Sequence, residues 1–148
     1  MLRKAELKDA RQIHKLINYY AKKNIMLPRT LNAVCESIRD FWVYDDGKIL
    51  GCTALHIYSD DLAEVKSLAV DSSRHKKGIG GRLLEVCLDE AKDLGIKKVF
   101  VLTLAPRFFE KFGFKVINKS RLPQKIWGEC VACSKFAKCD EIACIKRL

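Results

Sequence analysis

Four basic residues run directly into three glycines at Arg74-His75-Lys76-Lys77-Gly78-Ile79-Gly80-Gly81. At a strand-to-helix junction such residues suit an anion, because glycines let backbone N–H groups converge and a helix N-terminus adds partial positive charge. Basic side chains just ahead of the helix are what a pyrophosphate would require. A P-loop would need Gly, four residues and then Gly-Lys-Ser/Thr, and no such string occurs. A dinucleotide fingerprint would need G-x-G-x-x-G at the end of the first strand, and these glycines have neither that spacing nor that position. Two readings remain: a phosphate loop of another kind, or a solvated basic turn whose glycines only start a helix.

A second constellation lies near the end of the chain. Cys130, Cys133, Cys139 and Cys144 have the spacing C-x2-C-x5-C-x4-C. The C-x2-C pair is a usual half of a structural zinc site, and four thiolates complete one. The intervals of five and four residues are not those of a zinc ribbon, and an iron–sulfur cluster also takes four thiolates. Zinc suits the set best; the plain alternative is a helical tail with some cysteines in the core and some exposed. Cys35, Cys52 and Cys87 fall in periodic apolar segments and read as small buried hydrophobes. His56, inside an apolar strand, is either a satisfied core histidine or a weak site candidate. No Ser-His-Asp or Cys-His pattern suggests covalent catalysis.

The elements that must position these groups follow from periodicity. Asp9 is placed to cap a helix running to about Lys22, with Ile13, Leu16, Ile17 and Tyr20 on one face. Pro28 breaks the chain, and Thr30 caps a second helix with Leu31, Val34, Cys35 and Ile38 facing inward. Phe41 to Tyr44 and Ile49 to Tyr58 form a hairpin around Asp45-Asp46-Gly47, and a strand over Ala63 to Val70 follows the turn at Asp60-Asp61. From Gly80 to Leu94, Leu84, Cys87, Leu88 and Ala91 recur at helical spacing, and Gly95 supplies the C-cap. Lys98 to Leu104 is a β-branched apolar run suited to a buried central strand. Pro106 opens a short helix from Arg107 to Phe112, and Phe114 to Ile117 is a last strand. The order predicts a mixed α/β (α+β) domain with a partly antiparallel sheet flanked by helices. Residues 1–120 form its core, and 121–148 a basic, cysteine-rich appendage of the same domain.

Composition narrows the class. The chain has 148 residues, 49% hydrophobic, which suits one domain with a proper core. No apolar run approaches the ~20 residues of a membrane span, and Met1-Leu2-Arg3-Lys4-Ala5-Glu6 lacks the apolar core of a signal peptide. The expectation is a cytoplasmic protein without a membrane partner. A net charge of +10 implies an anionic partner. No RNA-binding motif or basic stripe with interleaved aromatics points to nucleic acid, and a polyphosphate co-substrate accounts for part of the charge equally well.

With the elements in order, the sequence resembles the GNAT superfamily of acetyl-CoA-dependent N-acetyltransferases. Its loop signature, Gln/Arg-x-x-Gly-x-Gly/Ala, stands here as His75-Lys76-Lys77-Gly78-Ile79-Gly80. A Ser67-Leu68-Ala69-Val70 strand end and the Phe108 to Phe114 segment complete the resemblance over about residues 2 to 120. The sequence is also similar to the acetyltransferase domain of N-acetylglutamate synthases, particularly the short stand-alone form. That likeness is carried by Phe41-Trp42-Val43, Gly51 to His56, Asp61 to Lys66, Val99 to Thr103 and Leu122-Pro123. Two positions depart from the family pattern. His75 replaces Gln/Arg, and Phe109 stands where many members place a Tyr that protonates the departing thiolate.

The resemblance implies a set of roles. Acetyl-CoA would be the co-substrate, its pyrophosphate held at His75, Lys76, Lys77, Gly78, Ile79, Gly80 and Gly81. Its pantetheine arm would lie along Leu68, Ala69 and Val70, with Phe109 beside it. Glu64 would be the general base, which the residue pattern alone leaves as an exposed strand glutamate paired with Lys66. Arg29 would bind a substrate carboxylate, with Lys66, Ser67, Leu102, Thr103 and Lys125 as further substrate contacts.

The function so implied is transfer of acetyl to the α-amine of an amino acid, L-glutamate in arginine biosynthesis, by direct attack. Acetylation of another small amine or a protein N-terminus is the alternative within enzymes. A non-catalytic acetyl-CoA-binding regulator and a nucleic-acid-binding module are alternatives outside them. The acceptor, the metal of the tail and a homodimer are left open by sequence.

Overall fold

The structure is a computed structural model and describes residues 1–74, 78–123 and 141–148, with Arg74 described for its backbone only. Seven strands make one sheet, flanked by helices on both faces. In chain order they are β1 (Leu2–Lys4), α1 (Ala10–Ala21), α2 (Leu31–Glu36), β2 (Phe41–Asp45), β3 (Ile49–Ile57), β4 (Leu62–Val70), α3 (Ile79–Asp93), β5 (Lys98–Thr103), α4 (Pro106–Glu110), β6 (Lys115–Ile117) and β7 (Ile142–Arg147). The strand order is β1-β2-β3-β4-β5-β7-β6. Neighbours pair antiparallel except β4 and β5, which are parallel because α3 carries the chain back across the sheet.

Each face is covered by a helix whose apolar stripe was visible in sequence. The α3 face packs Leu84, Cys87, Leu88 and Ala91 onto Leu55, Val65, Val99 and Val101. The opposite face packs Ile13, Ile17 and Tyr20 of α1 and Val34 of α2 onto Phe41, Val43, Cys52 and Ala54. Burying each such aliphatic side chain contributes about 2 kcal/mol, so neither face stands without its helix. Thr30 caps α2 as expected, its Oγ1 accepting from the Ala33 N–H at 3.0 Å.

The structure departs from the sequence expectation at the edges. Asp9 precedes α1 but makes no side-chain cap there. Its carboxylate instead accepts from Nη1 and Nη2 of Arg3, at 2.8 and 2.9 Å, and from the Glu6 N–H at 2.8 Å. A buried carboxylate gains more from a bidentate guanidinium than from a terminal amide. The appendage expected over 121–148 ends in β7, which lies between β5 and β6 and pairs with both. Cys144 belongs to that strand and is fully buried in the α3-side core. Burial pushes its thiol pKa up, whereas a metal ligand must shed its proton. Its three supposed co-ligands, Cys130, Cys133 and Cys139, lie outside the described residues. Among the described residues no group of three or more His, Cys, Asp or Glu side chains could hold a metal ion, and zinc has no support here.

Candidate active site

The site is built around an irregularity in β4. Ala54 pairs with Lys66 and Cys52 with Ala69, so Ser67 and Leu68 together oppose the single residue Thr53. This is a β-bulge, and Ser67 takes φ +56° to make it. The left-handed conformation is uncommon for a residue with a Cβ and costs about 1 kcal/mol. The polar atoms of β3 support it: Cys52 Sγ donates to the Ser67 carbonyl at 3.5 Å and Thr53 Oγ1 to the Lys66 carbonyl at 3.4 Å.

The bulge redirects the strand. Before it, Leu62 and Glu64 pair with Lys98 and Phe100 of β5. Beyond Glu64–Phe100 no further β4–β5 pair forms, although β4 runs on to Val70 and β5 to Thr103. A wedge therefore opens in the middle of the sheet, bounded by Leu68, Ala69 and Val70 on one side and Leu102 and Thr103 on the other. Thr103 Oγ1 accepts from the Ala105 N–H at 2.9 Å, which shapes the turn into α4.

At the far end of β4 stands the start of α3. Gly78 is its N-cap residue, at φ +77° and without a side-chain cap, a conformation suited to glycine. The first intrahelical bond is Arg82 N–H to Gly78 C=O, so the N–H groups of Ile79, Gly80 and Gly81 have no partner within the helix. The Ile79 side chain itself is buried against Leu50 and Leu83, leaving its backbone as the available group. A Cβ placed on Gly80 would lie 3.5 Å from Cζ of Phe108 and 3.7 Å from Cγ2 of Val70, so loop and strand end meet there. At Gly81 a Cβ would come within 2.9 Å of Phe112 Cζ, and only glycine leaves that ring in place. His75, Lys76 and Lys77 lie outside the described residues.

On the α1–α2 face, cross-strand rungs gather the remaining polar groups. Phe41, Ala54 and Lys66 form one rung and His56 and Glu64 the next. Glu64 is 6% exposed, and Tyr58 Oη donates to its Oε1 at 2.9 Å. His56 Nδ1 lies 3.2 Å from Asp40 Oδ2, so it is a partly exposed member of a polar pair and not a core histidine. The guanidinium of Arg29 sits 5.8 Å from the Phe41 ring centroid, and its Nη2 donates to Ser37 Oγ at 3.0 Å. Its Nε–H is buried with no hydrogen-bond partner among the described residues. A buried, unpaired guanidinium N–H is costly and marks a place for an anionic acceptor.

Two sequence-predicted residues, Phe109 and Cys144, fall elsewhere. Phe109 is buried in the α3-side core, its ring edge-on to Phe108 and Phe114 at 5.1 and 5.6 Å between centroids. Its neighbour Phe108 is the ring that reaches Gly80. Lys125 lies outside the described residues, and Cys144 is in the core. Sequence reasoning also missed Tyr58, and Tyr20, whose hydroxyl donates to the Val70 carbonyl. Both tyrosines are visible as the polar tips of otherwise apolar stripes.

The sequence profile of the acetyltransferase (GNAT) domain matches residues 37–116, which span β2 to β6 and contain the bulge, the wedge and the glycine loop. The chain belongs to the GNAT acetyltransferase family. It is a GNAT acetyltransferase whose relatives include proteins named amino-acid acetyltransferase. An uncharacterized GNAT relative, an N-acetyltransferase of Chlorobaculum tepidum, is 44% identical over 99% of this chain and 96% of its own length. The amino-acid acetyltransferase of Mycobacterium tuberculosis is 35% identical over 87% of this chain and 76% of its own. Among solved structures, N-acetylglutamate synthase of Neisseria gonorrhoeae, complexed with coenzyme A and N-acetyl-glutamate, superimposes with a TM-score of 0.90 at 26% identity. That match covers 100% of this GNAT chain and 35% of the larger protein. No helix among the described residues is long and apolar enough to cross a membrane.

Proposed function

We propose that this GNAT enzyme moves acetyl from acetyl-CoA to the α-amine of an amino acid, with L-glutamate as the preferred acceptor. The observation that carries the proposal is the Arg29 Nε–H, buried and without a partner among the described residues, over Phe41 on the sheet face that also bears Glu64. It supplies a charged donor for a carboxylate, one rung away from a carboxylate that can take a proton. The synthase of Neisseria gonorrhoeae, whose fold this chain shares, supports the choice of glutamate. Glutamate acetylation would place the enzyme in arginine biosynthesis.

The chemistry follows from the placement. The pyrophosphate of acetyl-CoA is received by the N–H groups at the start of α3, with His75, Lys76 and Lys77 ahead of them. The pantetheine arm enters the wedge and lies along Leu68 to Val70, which brings the thioester to the Glu64–Phe100 rung. Arg29 takes the acceptor's carboxylate, with Lys66, Ser67, Leu102, Thr103 and Lys125 around the rest of it. Glu64, directly or through a water, removes a proton from the ammonium. The nitrogen lone pair attacks the thioester carbon, backbone N–H groups at the bulged strand end stabilise the oxyanion, and the C–S bond breaks. The CoA thiolate is a good leaving group and departs without Phe109, which carries no proton to give.

The test is thiol release from acetyl-CoA across a panel of amino acids, polyamines and short peptides. Saturable turnover with glutamate, reduced about a hundredfold or more in Glu64→Gln, is the expected result. Preference for another amine would overturn the acceptor, and full turnover in Glu64→Gln would overturn the base.

A further inference from the structure

The polar groups around Glu64 are arranged more closely than proton abstraction alone requires. Tyr58 lies near the end of β3, where the turn folds the chain back, and its N–H donates to the Leu62 carbonyl at 2.9 Å. That turn places Tyr58 diagonally across the strands from Glu64, whose direct partner is His56. A diagonal neighbour is within reach of an aromatic side chain. The ring is held on two sides: edge-on to His56 at 4.7 Å and tilted against Phe100 at 5.7 Å between centroids. His56 is fixed in turn by Asp40. The hydroxyl at the end of this stack meets Glu64 Oε1 at 2.9 Å.

We propose that Tyr58 is a positioning residue for the reaction: its hydroxyl holds the Glu64 carboxylate in one orientation and keeps it ready to accept the proton of the acceptor amine. The proposal rests on the assignment of Glu64 as base. A buried carboxylate is penalised for its charge, and a hydrogen bond donated to the charged form opposes that penalty. Tyr58 donates from a ring that cannot swing away without breaking its contacts with His56 and Phe100. Among the described residues, His56 lies across the rung from Glu64, Lys66 two residues along the same strand face and Asp40 behind His56. Tyr58 supplies a direct hydrogen bond to the carboxylate.

The expected signature is in the pH profile. Tyr58→Phe keeps the ring and its packing but removes the donor. The acid limb of kcat/KM should then move up by about one pH unit. Below the displaced limb kcat/KM falls about tenfold, and most of the loss is recovered above it. KM for the amino acid changes less than about twofold, since Arg29 is untouched. In a Glu64→Gln background the same substitution should have no further effect, because Tyr58 acts through Glu64. The unchanged ring packing is checked by a melting temperature close to that of the parent. A Tyr58→Phe variant with the parent's pH profile and rate overturns the positioning role and leaves Glu64 as base, provided Glu64→Gln is inactive. An additive loss in the double variant also overturns it. A fully active Glu64→Gln variant removes the base assignment and this proposal with it.

Discussion

Glu64 and Phe100 form the last rung of the parallel pairing between β4 and β5, and both strands run on from it with no further paired residues. The carboxylate proposed as base therefore sits at the apex of the opening in the sheet. A thioester entering that opening ends beside it. The bulge at Ser67 lies three residues beyond that rung, on the stretch of β4 that no longer pairs with β5.

Ser67 should therefore be sensitive in a particular way. Ser67→Gly relieves the left-handed strain and is expected to leave stability unchanged or raised by up to about 1 kcal/mol. Ser67→Val, β-branched at φ +56°, is expected to lower stability by about 2 kcal/mol and raise KM for acetyl-CoA, as the strand end shifts. Thermal melts and initial-rate kinetics on the two variants check both; equal behaviour would show that the bulge does not depend on that backbone angle.

Arg29 offers a clean separation of binding from folding. Arg29→Lys keeps the charge but loses the planar fork, so KM for the amino acid should rise about tenfold or more. KM for acetyl-CoA should be unaffected, and stability should change by less than about 1 kcal/mol. Steady-state kinetics with each substrate varied in turn decides it; a parallel rise in both KM values would count against a carboxylate site.

Acid stability should report on Arg3 and Asp9. The Arg3 guanidinium, bonded to Asp9, holds that carboxyl below the usual range, with the Glu6 N–H assisting and burial opposing. A depressed folded-state pKa stabilises the protein above the unfolded value of about 3.9, and that stability is lost as pH falls through the folded value. Asp9→Asn should cost about 3 kcal/mol at neutral pH and show a flatter decline below about pH 4 than the parent. Denaturant melts from pH 7 to pH 2 measure it. Parallel curves for parent and variant would locate the acid response elsewhere.

Thiol chemistry should sort the cysteines by burial. Burial pushes the Cys52 and Cys87 thiols up to about 12 and raises that of Cys144. None of the three should be alkylated in the native protein at pH 8, while all react in denaturant. Mass spectrometry of peptides after a short iodoacetamide pulse tests this, and native labelling of Cys144 would contradict its place in β7.

What could be read from sequence was what local periodicity controls. The Leu84, Cys87, Leu88, Ala91 stripe gave α3, and Thr30 gave the start of α2, because each signal lies within a few residues of its effect. Gly78 and its neighbours marked the helix start that the structure shows without a side-chain cap. Three features escaped because they depend on distant partners. Asp9 resembles a helix cap until Arg3 claims it. Ser67 carries no turn signature, and its conformation follows from how β3 and β4 align. Phe108 and Phe109 are indistinguishable in sequence, and only the seating of α4 decides that Phe109 enters the core while Phe108 meets Gly80. The Tyr58–Glu64 bond was hidden for the same reason, since the Asp60-Asp61 turn leaves the register open and a slip of one residue would put the two side chains on opposite faces.

The position of β7 bears on how the molecule is made. β5 and β6 are both synthesised before it, yet they become members of one sheet only when β7 slots between them. β7 is thus the keystone of that half of the sheet. Until it arrives, the β5 edge that carries Leu102 and Thr103 is an unpaired ladder, open to the wrong neighbour. Pairings between such distant segments form slowly. The Leu102–Thr103 edge is therefore braced by a partner more than thirty residues further along the chain, and its order depends on that distant pairing.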